Sequence, residues 1–226
     1  MLSVIIPVYN AEKFIRKALQ NVIEQAMDNI EIIVIDDGST DQSADVIQRE
    51  FPMVKYIYQL NQGASKARNT GIEAATGKYI AFLDVDDQWP LGKLKRQLAF
   101  LESNADTALI WDMVDLVFDN GHVEKQNWAD RNTQKLPLMC LGAGLFRKSV
   151  FDEVGLFDIN LNIGEDWDWY NRAVEKGIKI ERTQNVGLLY LRHDTNLTKD
   201  LAKLNQQTVF LLKHTLDRRR QNQSSI

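Results

Sequence analysis

Short apolar runs alternate with longer amphipathic stretches along the first half of the chain. In the stretch 11–26, apolar side chains return every three or four positions, which is typical of a helix with one buried face. Asn10 stands directly before this stretch and is predicted to cap the helix. Runs with strand character lie at 3–8, 31–35, 54–58 and 78–83. Strands and helices in alternation predict an α/β fold with a mostly parallel, Rossmann-like central sheet and helices on both faces.

The second half of the chain is less regular. A helix is predicted from Pro90 to about residue 102, and Asn120-Gly121 predicts a hairpin over 113–126, a small additional β-element. The other predicted strands are 107–111, 141–146, 178–180 and 186–191. The other predicted helices are 147–154, 164–176 and 201–220. We see no internal repeat and no clear linker, so we expect one domain over residues 1–226.

The composition is that of a globular protein. Lys and Arg number 27 and Asp and Glu 31, a net charge of −4, and 44% of the residues are hydrophobic. These values exclude a disordered or fibrous chain, and the mild acidity argues against a nucleic-acid partner. Cys140 is the only cysteine, which fits a reducing compartment. No leader peptide or spanning segment is visible, so we expect a soluble, cytoplasmic protein that at most associates peripherally with the inner face of a membrane.

Two acidic clusters follow predicted strands. Asp84, Asp86 and Asp87 come after the fourth strand, and such carboxylates suit a hard divalent cation such as Mg²⁺ together with substrate phosphates. The alternative is a solvated acidic turn. Asp36 and Asp37 end the second strand, where a carboxylate can accept a hydrogen bond from a base or a ribose. Here the alternative is a helix start, with Thr40 or Asp41 as cap.

Two further motifs carry charge at predicted helix starts. Lys66 and Arg68 lie in the first turns of a helix, where the helix dipole disfavours cations, so they indicate a nearby anion; otherwise they are two exposed basic residues. Glu165 and Asp166 open another helix, either as simple capping groups or with one of them as a general base. His193 follows a strand, where a lone histidine is more often structural.

Six strings, in this order, resemble family 2 glycosyltransferases, which have the GT-A fold. They are residues 3–10, 36–41, 61–71, 79–87, 142–158 and 164–169. The resemblance implies a single GT-A domain in which residues 1–103 bind the nucleotide-sugar and 104–198 form the acceptor and catalytic half. Residues 199–226 would add a C-terminal helix and tail.

The resemblance also implies a nucleotide-diphospho-sugar donor, most commonly of UDP, a Mn²⁺ or Mg²⁺ cofactor, and inversion at the anomeric carbon. The implied positions are Pro7, Tyr9, Asp36 and Asp37 at the base and ribose, Arg68 near the diphosphate, Asp84 nearer the ribose, Asp86 as metal ligand, and Asp166 as base with Glu165 beside it. His193 is the remaining candidate metal ligand, although the family often carries Tyr-Arg-x-His where this chain has Tyr190-Leu191-Arg192-His193. The Q-x-x-R-W string of processive members is absent, which favours the transfer of a single sugar.

Other functions explain fewer of these residues. A sugar nucleotidyltransferase usually has a glycine-rich basic loop after the first strand, and residues 8–12 contain no glycine. A glycoside hydrolase also uses two carboxylates but leaves Arg68 and the D-x-D motif without a role. An inactive sugar-nucleotide-binding module would not need all the carboxylates. The acceptor, whether a glycan, a lipid-linked or a small molecule in polysaccharide or glycoconjugate biosynthesis, is left open.

Overall fold

The computed structural model describes residues 1–118, 121–125, 139–161, 163–192, 211, 213, 215–218 and 220. These residues form a mixed sheet of eight strands with helices around it. The strands are β1 (Leu2–Val8), β2 (Ile30–Asp37), β3 (Lys55–Gln59), β4 (Tyr79–Phe82), β5 (Leu109–Phe118), β6 (Val123–Lys125), β7 (Gly144–Arg147) and β8 (Ile180–Arg192). The helices are α1 (Ile15–Ile23), α2 (Ser43–Glu50), α3 (Ala64–Ala74), α4 (Lys93–Ser103), α5 (Val150–Val154) and α6 (Glu165–Glu175).

The first four strands form the parallel part of the sheet, in the order β3-β2-β1-β4. The central residues of β1 are fully buried, as expected for a strand covered on both faces. The register pairs Val8 with Asp36, so β1 and β2 end at the same edge of the sheet. The predicted α/β architecture is confirmed, and this edge collects the residues that follow the parallel strands.

The second part of the sheet combines antiparallel and parallel pairs. β7 pairs with both β4 and β5, and β6 forms the predicted hairpin with β5. β8 runs parallel to β5 along its whole length, with register shifts around Met113. One sheet therefore continues from the first half of the chain into the second.

The strand boundaries in this part differ from the prediction. The predicted break at residue 112 lies inside β5, and the two short strands predicted at 178–180 and 186–191 are one strand, β8. Asp112 is buried in β5, where Arg96 Nη2 and Thr183 Oγ1 donate to its two carboxylate oxygens at 2.6 and 2.5 Å. Both partners come from distant parts of the chain, so the hydrophobic pattern could not show that this carboxylate is hydrogen-bonded inside a strand. The pattern therefore predicted a break at Asp112.

The start of α1 also differs from the prediction. The helix begins at Ile15, and Asn10 does not cap it. Asn10 has a φ of +49°, a left-handed conformation that asparagine tolerates, and its Oδ1 accepts a hydrogen bond from Thr40 N at 2.8 Å. The residue therefore ties the end of β1 to the loop after β2.

Three buried side chains hold the short 3₁₀ turn Leu141–Ala143 against α4. Trp89 Nε1 and Lys93 Nζ both donate to the carbonyl of Gly142, at 2.7 and 3.0 Å. Lys93 also donates to Gly144 O (3.0 Å), and Gln97 Nε2 donates to Ala143 O (2.9 Å). Burial lowers the pKa of Lys93 to about 7. This turn follows Cys140, which lies beside the candidate site.

The predicted C-terminal helix lies partly outside the described residues, which omit 193–210. Residues 215–218 are helical, and Arg218 donates to Asp168 and Glu175 of α6 at 2.9 and 2.8 Å. These contacts fasten the helix to α6. Of the helices in the part of the chain that the structure covers, none has the length and apolar character required to traverse a bilayer.

Candidate active site

Asp36, at the end of β2, is buried and bonded within the protein. Its Oδ1 accepts from Ser39 N at 2.8 Å, and its Oδ2 accepts from the hydroxyl of Tyr56 on β3 at 2.5 Å. A carboxylate buried at this depth needs such donors, because its charge is otherwise costly to desolvate. Asp36 therefore braces the loop that follows β2.

Asp37 organises the approach to α3. Its Oδ1 accepts from Gln59 Nε2 (2.7 Å) and Gln62 N (2.9 Å), and its Oδ2 accepts from Gly63 N (2.7 Å). A carboxylate offers about four lone-pair sites, so three are in use. The loop between β3 and α3 is thereby shaped by one buried side chain of β2. The neighbouring positions at the end of β1 and just after it differ in exposure, since Pro7 is half-buried and Tyr9 is 55% exposed.

Arg68, on α3, joins two of the motifs found in the sequence. Its Nη2 donates to Asp84 Oδ1 at 2.7 Å, and its Nη1 donates to Glu165 Oε1 at 2.5 Å. The arginine side chain is only 6% exposed and that of Glu165 13%. The alternative of an exposed basic residue is therefore wrong for Arg68. Residues 68, 84 and 165 meet at one point, as the prediction of a shared site requires.

The D-x-D motif forms a tight turn. The carbonyl of Asp84 accepts a hydrogen bond from Asp87 N at 3.1 Å, which places Asp86 in the middle of the turn, where it is half-buried. Asp87 is 4% exposed, and burial, reinforced by repulsion from Asp84 and Asp86, raises its pKa well above the usual value. Among the described residues, no three His, Cys, Asp or Glu side chains cluster so as to hold a metal ion.

Asp166 lies in the first turn of α6, after Gly164, whose φ of +85° suits glycine. Its Oδ1 accepts from Trp167 N at 2.8 Å. Burial and the neighbouring charge of Glu165 raise the pKa of Asp166 to about 8, against the opposing effects of that hydrogen bond and of Arg68. Trp169, on the same helix, is fully buried against Phe146 and Phe151 and is therefore part of the core.

The structure thus brings together Arg68, Asp84, Glu165 and Asp166, and sets Asp36 and Asp37 at the neighbouring strand end. His193 lies outside the described residues. Sequence reasoning assigned no individual role to Asp87 and missed Cys140, the pKa of which is raised by burial and by Asp166, Asp87 and Asp84. The acidic cluster already contained Asp87, whereas no local signal marks Cys140, because its neighbours are distant in sequence.

The architecture is that of the GT-A fold. The first 349 residues of Staphylococcus aureus TarS, solved in complex with UDP-GlcNAc, superpose with a TM-score of 0.73 at 21% identity, covering 88% of this chain and 60% of that one. The same protein in complex with UDP gives a TM-score of 0.71 at 23% identity, covering 84% of this chain and 60% of that one. These neighbours confirm the predicted fold.

Residues 3–155 match the glycosyl transferase family 2. The chain therefore belongs to that family, as the sequence predicted. The glycosyltransferase YibD of Escherichia coli K12 is 50% identical over 217 residues, which cover 88% of this chain and 63% of that protein. The glycosyltransferase RC0461 of Rickettsia conorii is 37% identical over 155 residues, covering 68% of this chain and 23% of that protein. The chain spans less than two thirds of the length of either relative.

Proposed function

We propose that this protein transfers a single sugar from a nucleotide-diphospho-sugar, with UDP as the nucleotide, to an acceptor hydroxyl with inversion. The observation that carries the proposal is the contact of Arg68 with both Asp84 and Glu165, since it joins the D-x-D turn to the helix that bears Asp166. The residues that bind the nucleotide-sugar and the residue that accepts the proton must lie next to each other for the transfer. The UDP and UDP-GlcNAc complexes of TarS support the choice of nucleotide.

Asp166 is the proposed general base, with Glu165 beside it. A base works best when its pKa lies near the working pH, and the raised pKa of Asp166 meets this condition. Its carboxylate takes the proton of the acceptor hydroxyl as that oxygen attacks the anomeric carbon on the face opposite the diphosphate. Attack from that face inverts the configuration at the carbon.

Pro7, Tyr9, Asp36 and Asp37 are the proposed contacts to the base and ribose, with Asp84 nearer the ribose. Asp37 retains about one free lone-pair site for a ligand donor, and the exposed ring of Tyr9 is available for stacking. Asp36 is held by donors from β3 and the loop after β2, and Asp37 by donors from β3 and the loop after β3. The nucleotide would therefore meet groups that are already oriented.

A divalent cation fits the residues of the turn. Mg²⁺ and Mn²⁺ prefer oxygen ligands and are commonly bound by one or two carboxylates together with substrate phosphates, so a cage of three protein ligands is not required. Asp86 would hold Mn²⁺ or Mg²⁺, with His193 as the second proposed ligand. When bound, the cation supplies positive charge to the departing diphosphate.

The acceptor and the location of the protein are also proposals. We infer a glycan, lipid-linked or small-molecule acceptor in cell-envelope polysaccharide or glycoconjugate synthesis, and a cytoplasmic protein. Peripheral membrane association would use the three arginines at 218–220. Arg218 contributes less positive charge to such a surface, because its guanidinium pairs with Asp168 and Glu175.

A panel of UDP-, GDP- and dTDP-sugars with Mn²⁺ tests the proposal by release of free nucleoside diphosphate. We expect one UDP-sugar to be turned over, Asp166→Asn to lose turnover while still binding UDP, and Asp86→Ala to lose the Mn²⁺ dependence of UDP binding in calorimetry. Asp45→Asn, an exposed change on α2, is the control. Turnover by Asp166→Asn at the wild-type rate would refute the base, and binding of every donor without release would indicate an inactive sugar-nucleotide module.

A further inference from the structure

Arg68 holds two carboxylates that belong to different functional motifs. Its two partners in this contact are Asp84 in the D-x-D turn and Glu165 on α6, which lie 16 and 97 residues from Arg68 along the chain. Its Nε has no hydrogen-bond partner among the described residues. An arginine in this setting loses its hydration and gains two ion pairs, with one donor left uncompensated.

Such an arrangement is weak evidence for a role in stability alone. Buried ion pairs repay their desolvation poorly, and an apolar side chain of similar size often serves the fold as well. Among the described residues, no other side chain donates to the same oxygens of the half-exposed Asp84 and the more buried Glu165. The buried arginine is therefore better explained by an effect on the function of the two carboxylates than by stability alone.

Glu165 is the residue next to the proposed base. Left without Arg68, its carboxylate would stand uncompensated beside Asp166 in the first turn of α6, and the two like charges would repel each other. Arg68 fixes the direction of Glu165 through the 2.5 Å hydrogen bond and supplies the opposite charge. The charged and titratable groups that act on Asp166 are Glu165 on α6, Arg68 on α3 and Asp84 in the turn, with the Cys140 thiol also nearby.

We propose that Arg68 is a positioning residue for the general base: by clamping Glu165 to Asp84, it orients the first turn of α6 and holds Asp166 in place for the acceptor hydroxyl. This inference rests on the proposed function. It differs from the role implied by the family resemblance, in which the arginine lies near the diphosphate, and it predicts that the proton transfer depends on Arg68 more than donor binding does.

The test follows the pH dependence of UDP-sugar turnover in Arg68→Met, Arg68→Lys and Glu165→Gln. The rate rises with pH as the base loses its proton, which gives the pH–rate profile a rising limb. Removing the cation raises the pKa of Asp166, so this limb should move to higher pH in Arg68→Met. Removing the neighbouring anion lowers that pKa, so the limb should move to lower pH in Glu165→Gln.

Two further variants make the comparison specific. Arg68→Met/Glu165→Gln removes one charge of each sign, so its limb should return toward the wild-type position, and Arg68→Lys should keep the limb within a few tenths of a pH unit of wild type. Arg96→Met is the matched control, because Arg96 also pairs with a buried aspartate, Asp112, and has no proposed role in the site. Its profile should keep the wild-type limb.

The readouts separate the possible roles. We expect kcat to fall at least tenfold in Arg68→Met at neutral pH, with UDP affinity by calorimetry changed less than threefold. A uniform loss of rate with an unchanged limb would mean a merely structural arginine, and a loss of UDP affinity equal to the loss of rate would mean a diphosphate ligand; either result overturns the proposal. If Arg68→Met does not fold, Glu165→Gln still tests the coupling. Failure of the proposed function itself would appear differently, as absence of turnover in the wild type or retention of it in Asp166→Asn.

Discussion

Asp87 Oδ1 accepts a hydrogen bond from the backbone N–H of Leu191 at 3.2 Å, and this contact joins the D-x-D turn to the end of β8. The next residue, Gln88, exchanges two backbone hydrogen bonds with Leu189, at 3.2 and 2.8 Å. The turn and the strand end therefore form one unit. A buried carboxylate next to Asp86 and close to Asp84 is unfavourable by itself, and the hydrogen bond from Leu191 N–H stabilises it there.

The first prediction concerns that bond. Asp87→Leu should lower nucleotide release from a UDP-sugar by roughly tenfold, equivalent to about 1.4 kcal/mol, because the end of β8 loses its side-chain hydrogen bond to the turn and keeps only the backbone bonds of Gln88. Asp87→Asn keeps a carbonyl acceptor and should stay within about threefold of wild type in the same assay. If the asparagine variant were as damaged as the leucine variant, the charge of Asp87 and not its hydrogen bond would be what matters.

Asp37 should be important for both stability and nucleotide binding. Asp37→Ala removes the acceptor for three donors, Gln59 Nε2, Gln62 N and Gly63 N, and should cost on the order of 2–4 kcal/mol of unfolding free energy. Gln59→Leu removes only one of these donors and should cost less. Urea unfolding measures both, and calorimetry with UDP should show weaker binding for Asp37→Ala. Equal midpoints for this variant and wild type would show that the loop does not need the carboxylate.

The raised pKa of Asp166 has a consequence for stability. The folded state holds this proton more tightly than the unfolded state, so between about pH 4 and pH 8 the folded state binds more protons and unfolding free energy falls as the pH rises. The slope from this group is at most about 1.4 kcal/mol per pH unit.

Asp166→Asn should remove that slope, so the variant should gain stability relative to wild type as the pH increases from 5 to 7. Denaturant unfolding at these two pH values gives the difference directly. Asp45→Asn changes an exposed carboxylate and should show no such trend. A constant difference between Asp166→Asn and wild type would mean that Asp166 ionises normally.

Gly71 allows α3 to lie directly on β1. A Cβ at this position would overlap Cγ2 of Ile5, which is fully buried. Gly71→Ala should therefore destabilise the protein by about 1–3 kcal/mol through overpacking.

Ile5→Ala creates space at the same point, so the double variant should be destabilised less than the sum of the two single variants, by about 0.5 kcal/mol or more. Thermal or urea unfolding of the four proteins completes the cycle. Simple additivity would show that the helix moves away from the strand instead of overlapping Ile5.

Much of the parallel half was predictable because its signals are local. The short apolar run at 3–8 and the helix expected to carry Lys66 and Arg68 are signals of neighbouring residues, and β1 and α3 occur there. The second half of the chain was less predictable. Asp112 interrupts the apolar run of β5, and only its contacts with Arg96 and Thr183 show that a strand can pass through it.

The residues of the candidate site were more predictable than the contacts between them. Asp84, Glu165 and Arg68 were each recognisable from their strings, and the predicted topology placed two acidic clusters at one sheet edge. The direct clamp of Arg68 on both carboxylates could not be foreseen, because it depends on the distance between chain segments 97 residues apart. The placement of Trp169 in the core is a similar case, since a tryptophan has the same local pattern whether it packs inside or stacks on a ligand.

By itself, the sequence determined the order of the elements, the family, and the residue types available for chemistry, because periodicity, turn residues and motifs are properties of neighbouring positions. Only the tertiary structure decided which charges meet, which of them are desolvated, and how far the pKa of Asp166 rises. Burial and Coulomb interaction act through space, and their strength depends on distances and on exclusion of water that the order of residues does not contain.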